Sequence, residues 1–212
     1  MSHKLEFFAE TRHSYGRTAL LLSGGATFGR FHIGLIKALY EQDLMPRIIC
    51  GSSVGSLIGA FICSRSIKEL PQVIDVDTYI DKPLLKYRKD SILGVIGCLL
   101  KGEPILDAEY LRNVVRKEIG DLTFKEVHDK FKWNLNITVT DSQNTNDTRL
   151  LNYLTSPNVV IWSAISCSTA IPHFFEPGML MIKVEDGEIV PYHPENTNIR
   201  YIDGTIGGDL PM

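Results

Sequence analysis

Two short apolar runs, each stopped by glycine and each followed by a helical pattern, constrain the fold of this chain more tightly than any other feature. Thr18-Ala-Leu-Leu-Leu-Ser23 ends in Gly24-Gly25, and Arg47-Ile-Ile-Cys50 ends at Gly51. Between them Phe28, Phe31, Leu35, Ile36 and Leu39 recur at helical spacing through Glu41, and Val54 to Cys63 reads as an apolar helix. Strand, helix, strand, helix within about 45 residues is the βαβ rhythm. Parallel crossovers bury both faces of their strands, so the expected class is α/β with a mainly parallel sheet.

The rhythm breaks over residues 65–110, which Pro71, Pro83 and Pro104 divide. This stretch reads as an insertion or cap, helical in parts, lying over the sheet. Its apolar run Ile92–Leu100 is open to two readings, a cap that sits on a lipid surface or a core helix. The rhythm resumes with a helix near Tyr110–Ile119 and strands at Leu135–Thr140 and Leu150–Leu154. Ser156-Pro157 predicts an N-cap with proline at the first helical position, opening a helix to about Ser168. Met179–Val184 and Ile199–Ile202 are the last expected strands. Residues 1–17 are polar and read as an arm, leaving 18–212 as one domain, long enough to hold a core without metals or disulfides.

Charge and cysteine usage exclude several classes. The net charge is −3 with no run of one sign, which gives no basic footprint for nucleic acid. The four cysteines, Cys50, Cys63, Cys98 and Cys167, lie far apart in apolar company and form no zinc spacing, so they read as buried free thiols in a reducing compartment. The opening Met-Ser-His-Lys-Leu-Glu is too polar for a secretory signal, and Ile92–Leu100 has about half the length a bilayer requires. The expectation is an intracellular protein whose contact with membrane is peripheral.

Three segments hold residues able to do chemistry. Gly51-Ser52-Ser53-Val54-Gly55 fits Gly-x-Ser-x-Gly between a strand and a helix, where a sharp turn exposes and orients a serine nucleophile. The plain alternative is a turn whose small residues serve packing. Ser23-Gly24-Gly25-Ala26-Thr27-Phe28-Gly29 sits between the first strand and first helix, where unpaired N–H groups can hold an anion. Tight-turn and nucleotide-loop readings stay open there, although neither Gly-x-Gly-x-x-Gly nor Gly-Lys-Ser/Thr is present. Tyr201-Ile-Asp203-Gly204 ends an apolar strand in an acid, a usual position for catalytic groups and also for turn residues. Asp209 falls in a nearby loop. All six histidines precede Asp203. A triad with histidine after the acid is therefore absent, and a Ser–Asp dyad is the economical reading.

Together these segments resemble the patatin-like phospholipase family over about residues 18–212. The likeness includes Ile161-Trp162-Ser163-Ala164 running on to Ala170-Ile171-Pro172 and Phe174-Phe175. It is greater to the fungal and plant triacylglycerol lipase branch, through Leu22–Gly29, His32–Glu41, Gly51-Ser-Ser53 and Gly208-Asp-Leu-Pro-Met212. The resemblance implies a patatin-type three-layer αβα sandwich carrying a Ser53–Asp203 dyad. Gly24, Gly25 and Ala26 would hold the oxyanion, and Gly51, Gly55 and Gly204 would support the elbow and the dyad. Acylglycerol or phospholipid esters would be cleaved through an acyl-enzyme, with transacylation as a side activity and with no metal or cofactor. It further implies a peripheral place on a lipid droplet or ER membrane surface. Many members carry Gly-Gly-Gly-x-Arg/Lys-Gly in the first loop; here Arg30 follows Gly29 and receives no oxyanion role. Relatives continue past Asp-Leu-Pro-Met, so the resemblance also implies an incomplete C-terminus. The rival expectation is a non-catalytic truncated domain that binds lipid droplets or a partner lipase.

Overall fold

The computed structural model describes residues 2–74, 85–89, 91–192 and 198–208; Pro83, His193 and Asp209, named above, lie outside them. Three strands, β1 (Ala19–Leu22), β2 (Ile48–Gly51) and β3 (Asn134–Asp141), form the parallel part of the central sheet. Two more, β4 (Thr148–Leu151) and β7 (Tyr201–Asp203), run antiparallel to β3. β5 (Met181–Lys183) and β6 (Ile189–Pro191) make a separate hairpin.

The register along β3 positions the site. β4 pairs with Ile137 through Thr140. β2 also pairs with Ile137, and β7 also pairs with Val139 and Thr140, so both must use the edge of β3 that β4 leaves open. β2 ends at Gly51 opposite Ile137; β7 arrives from the other direction and ends at Asp203 opposite Val139. The carboxyl ends of two strands therefore converge on Thr138.

The helices are α1 (Ser2–Tyr15), α2 (Arg30–Glu41), α3 (Val54–Cys63), α4 (Leu70–Val73), α5 (Ile92–Lys101), α6 (Ala108–Ile119), α7 (Phe124–Phe131) and α8 (Ile161–Ser168). α3 is apolar all round and buried from Gly55 to Cys63, packing on β1, β2 and β3 with α6 and α8 beside it. Every β3 residue from Leu135 to Asp141 is buried, as in a strand covered on both faces of an α/β sandwich.

Several expectations change. The helix expected from Pro157 begins at Ile161, because Val159 and Val160 form β-bridges to Ile182 and Thr123; β-branched residues favour that extended form. Ile92–Leu100 is helical but is not a core helix, since Cys98 is its one buried residue. α7 was not anticipated in its charged stretch, where Thr123 and Glu126 form a capping box. Residues 2–15 are a helix whose described side chains are all exposed. All four cysteines are buried and free.

Glycine is obligatory where β1 meets α3: a Cβ on Gly55 would collide with the main-chain carbonyl of Leu22. Gly55→Ala should lower the thermal midpoint steeply or prevent folding, because backbone cannot step aside. Gly97→Ala, with nothing within 4 Å of the added methyl, should stabilise α5 by about 0.5–1 kcal/mol. Circular dichroism melts of both variants check the contrast.

Candidate active site

Ser53 occupies the turn between β2 and α3 with φ 52° and ψ −125°, a region that costs a non-glycine residue about 1–3 kcal/mol. Surrounding bonds hold it there. Its N–H donates to Ser168 Oγ at 2.9 Å, and its carbonyl accepts from Ser56 Oγ at 2.6 Å. Ser52 N–H donates to the Leu22 carbonyl at 3.1 Å, tying the turn to the end of β1. A Cβ on Gly51 would strike the backbone of Gly55 and Ser56, so these expected elbow glycines are explained by close backbone approach.

Asp203 is fully buried at the end of β7. Its N–H donates to the Ala170 carbonyl at 3.0 Å, and its Oδ1 accepts from Thr205 N–H at 2.9 Å and Thr205 Oγ1 at 2.7 Å. Its other oxygen, Oδ2, is buried with no hydrogen-bond partner among the described residues. An unpaired buried carboxylate oxygen is costly to keep. Gly204 lies against the Thr138 carbonyl with no room for a Cβ, and its N–H donates to the Ser168 carbonyl at 3.3 Å. Ser168 thus binds both strand ends, Ser53 through its hydroxyl and Gly204 through its carbonyl.

The first loop closes the group. A Cβ on Gly24 would lie 2.5 Å from Thr205 Cγ2 and 3.3 Å from Ser53 Cβ, so Gly24 touches the nucleophile turn and the acid loop together. Gly25 and Ala26 have φ 139° and 49° at the start of the 3₁₀ turn Ala26–Gly29. The N–H groups of Gly24, Gly25 and Ala26 donate to no partner among the described residues. Ser53 also lines a cavity of about 560 Å³ whose walls are mainly apolar, including Leu57, Phe61, Leu106, Ile171 and Phe175. Among the described residues on that lining, Arg30 is the one that is charged.

Several other nucleophiles and bases are otherwise engaged. Burial pushes the thiols of Cys50, Cys63 and Cys167 upward, so they stay protonated and unreactive near neutrality. His32 bonds the Ser23 carbonyl at 3.0 Å, and His128 bonds Asn134 Oδ1 at 2.7 Å while stacking on Tyr153. Sequence reading overlooked Ser168 and Thr205. Thr205 was within reach, two residues after a candidate acid; Ser168 lies 115 positions from Ser53 and had no local signal.

A family model described as patatin-like phospholipase matches residues 20–212. The chain is 41% identical over its whole length to triacylglycerol lipase SDP1L of Arabidopsis thaliana, covering 27% of that protein. It is 37% identical, again over its whole length, to triacylglycerol lipase 4 of Saccharomyces cerevisiae, covering 24% of it. The chain thus spans about a quarter of the length of these curated relatives. VipD from Legionella pneumophila superposes with a TM-score of 0.50 at 17% identity, over 91% of this chain and 46% of that one, a likeness of fold.

Ser168→Ala would leave the buried Ser53 N–H without its acceptor, at a cost of about 1–3 kcal/mol. Urea unfolding should show that loss, and Ser168→Thr, which keeps the hydroxyl, should recover part of it.

Proposed function

The chain belongs to the patatin-like phospholipase family, and on that premise we propose that it is a serine acyl hydrolase using Ser53 and Asp203 on lipid esters. One observation carries the reading: the strained Ser53 lines an apolar cavity, and the strand end that meets its own presents a buried carboxylate with an unpaired oxygen. Asp203 is set for one task. Thr205 fixes Oδ1 with two hydrogen bonds, leaving Oδ2 as the proton acceptor.

In the proposed reaction Ser53 Oγ attacks the ester carbonyl as its proton passes to Asp203 Oδ2. The carbonyl becomes an oxyanion, and the unpaired N–H groups of Gly24, Gly25 and Ala26 are the candidates to receive it; one such donor is worth ~10²–10³ in rate. Collapse of the intermediate expels the alcohol, which takes the proton back from Asp203. Water then attacks the acyl-enzyme by the same route and releases the acid. A second alcohol in place of water gives transacylation.

The cavity wall favours an aliphatic acyl group, since each buried methylene contributes about 0.8 kcal/mol and the walls would desolvate a charge at a loss. Acylglycerols or phospholipids are the proposed substrates, met at a droplet or membrane surface. No helix among the described residues is long and apolar enough to cross a membrane.

Labelling with a fluorophosphonate probe tests the dyad. The parent chain should label, and Ser53→Ala should not label at all. Asp203→Asn should lose most of the labelling as well, and should hydrolyse ester ~10³-fold or more slowly. A parent that is folded by circular dichroism yet stays unlabelled would sink the reading.

A further inference from the structure

α5 is an unusual surface helix. Ser91 Oγ caps its first turn by accepting Gly94 N–H at 3.1 Å, and Gly102 ends it in the left-handed conformation with φ 69°. Its inner side, Val95 and Cys98, packs toward the core. Its outer side, Ile92, Leu93, Ile96, Leu99 and Leu100, falls within one third of the helical circumference. Ile92, Leu93 and Leu100 are 80%, 82% and 83% exposed. Leaving that much contiguous apolar surface in water is costly, and such a patch marks an interaction site.

The helix is held beside the cavity. Tyr87 and Leu106 form an antiparallel bridge at its base, with Arg88 N–H donating to the Ile105 carbonyl at 3.0 Å and Asp107 N–H to the Lys86 carbonyl at 2.9 Å. Tyr87, Ile105 and Leu106 of this stem line the cavity that Ser53 enters. The first loop repeats the arrangement: Thr27 and Arg30 line the cavity, while Phe28 and Phe31 stack on each other, 72% and 76% exposed.

Charge identifies the occupant. Residues 85–103 hold Lys86, Arg88, Lys89 and Lys101 against Asp90 and Glu103, a basic segment within a chain of net charge −3. Arg88 is taken up by Glu176 at 2.8 Å. Lysines flanking an apolar helical face suit the headgroups and acyl boundary of an anionic phospholipid layer. We propose that the outer face of α5, together with Phe28 and Phe31, docks this domain on an anionic phospholipid surface and brings the Ser53 cavity against it. The proposal rests on the lipid-hydrolase reading for its purpose, and on exposure and charge for its geometry.

Flotation of the full chain with vesicles tests it, using phosphatidylcholine alone and phosphatidylcholine containing phosphatidylserine. The parent should float with both, and more strongly with the anionic vesicles. Leu93→Ser with Leu100→Ser should weaken binding about tenfold or more on both. Lys89→Gln with Lys101→Gln should remove the anionic increment alone. Both variants change exposed residues, should melt like the parent, and should keep its turnover of a soluble p-nitrophenyl butyrate. A parent that does not float, or a leucine variant that floats as well, overturns the proposal. So does an absence of flotation with a dimer that the leucine variant splits, which assigns the face to a second copy. Loss of ester turnover with flotation intact would remove the hydrolase reading and leave docking standing.

Discussion

One edge of β3 receives two strands from opposite directions, and the arrangement of the site follows from that shared edge. β2 and β7 cannot run past each other, so each ends where it meets the other, over Thr138. A strand end is where the chain must turn and where main-chain groups leave the ladder. The turn after β2 carries Ser53, and the last residue of β7 is Asp203. Hydrogen-bond geometry in the sheet thereby brings two strand ends to neighbouring positions on β3, although Ser53 and Asp203 are 150 residues apart in sequence.

Holding them there calls for close backbone contact and for a polar residue between them. Gly51, Gly55 and Gly204 supply the first, each where a methyl group would meet main chain. Ser168 supplies the second from the end of α8. The positive φ of Ser53 is maintained by this surrounding network, since the isolated turn would relax. Thr205 adds orientation, since its N–H and its hydroxyl both donate to Oδ1 of Asp203.

Most of the local structure was legible in the sequence. Apolar runs ended by glycine gave β1 and β2 to within a residue or two, and α3 ran as expected from Val54 to Cys63. The glycines and Asp203 stood out because their chemistry is local to short motifs. Pairing was not legible: Tyr201-Ile-Asp203 reads as a strand but carries no sign of its direction or of the edge it joins. Ser168 was hidden for the same reason, since its two partners come from distant segments. Pro157 misled because a proline-based cap is a propensity, and tertiary pairing of Val159 and Val160 outweighed it. The exposure of α5 was also beyond reach, because an apolar run looks the same whether its outer face meets protein or solvent.

The bridge between Tyr87 and Leu106 divides responsibilities within the molecule. The turn at Ser53 is fastened by main-chain contacts that tolerate almost no change in shape. Tyr87, Ile105 and Leu106 instead reach the cavity from a loop that leaves the sheet, carries α5 and returns, and its walls meet the cavity through side chains. Shape can vary on that loop without disturbing the main-chain contacts that hold the turn. The cavity thus has two kinds of wall, one built on the rigid turn and on α3 through Leu57 and Phe61, the other on side chains of a surface loop.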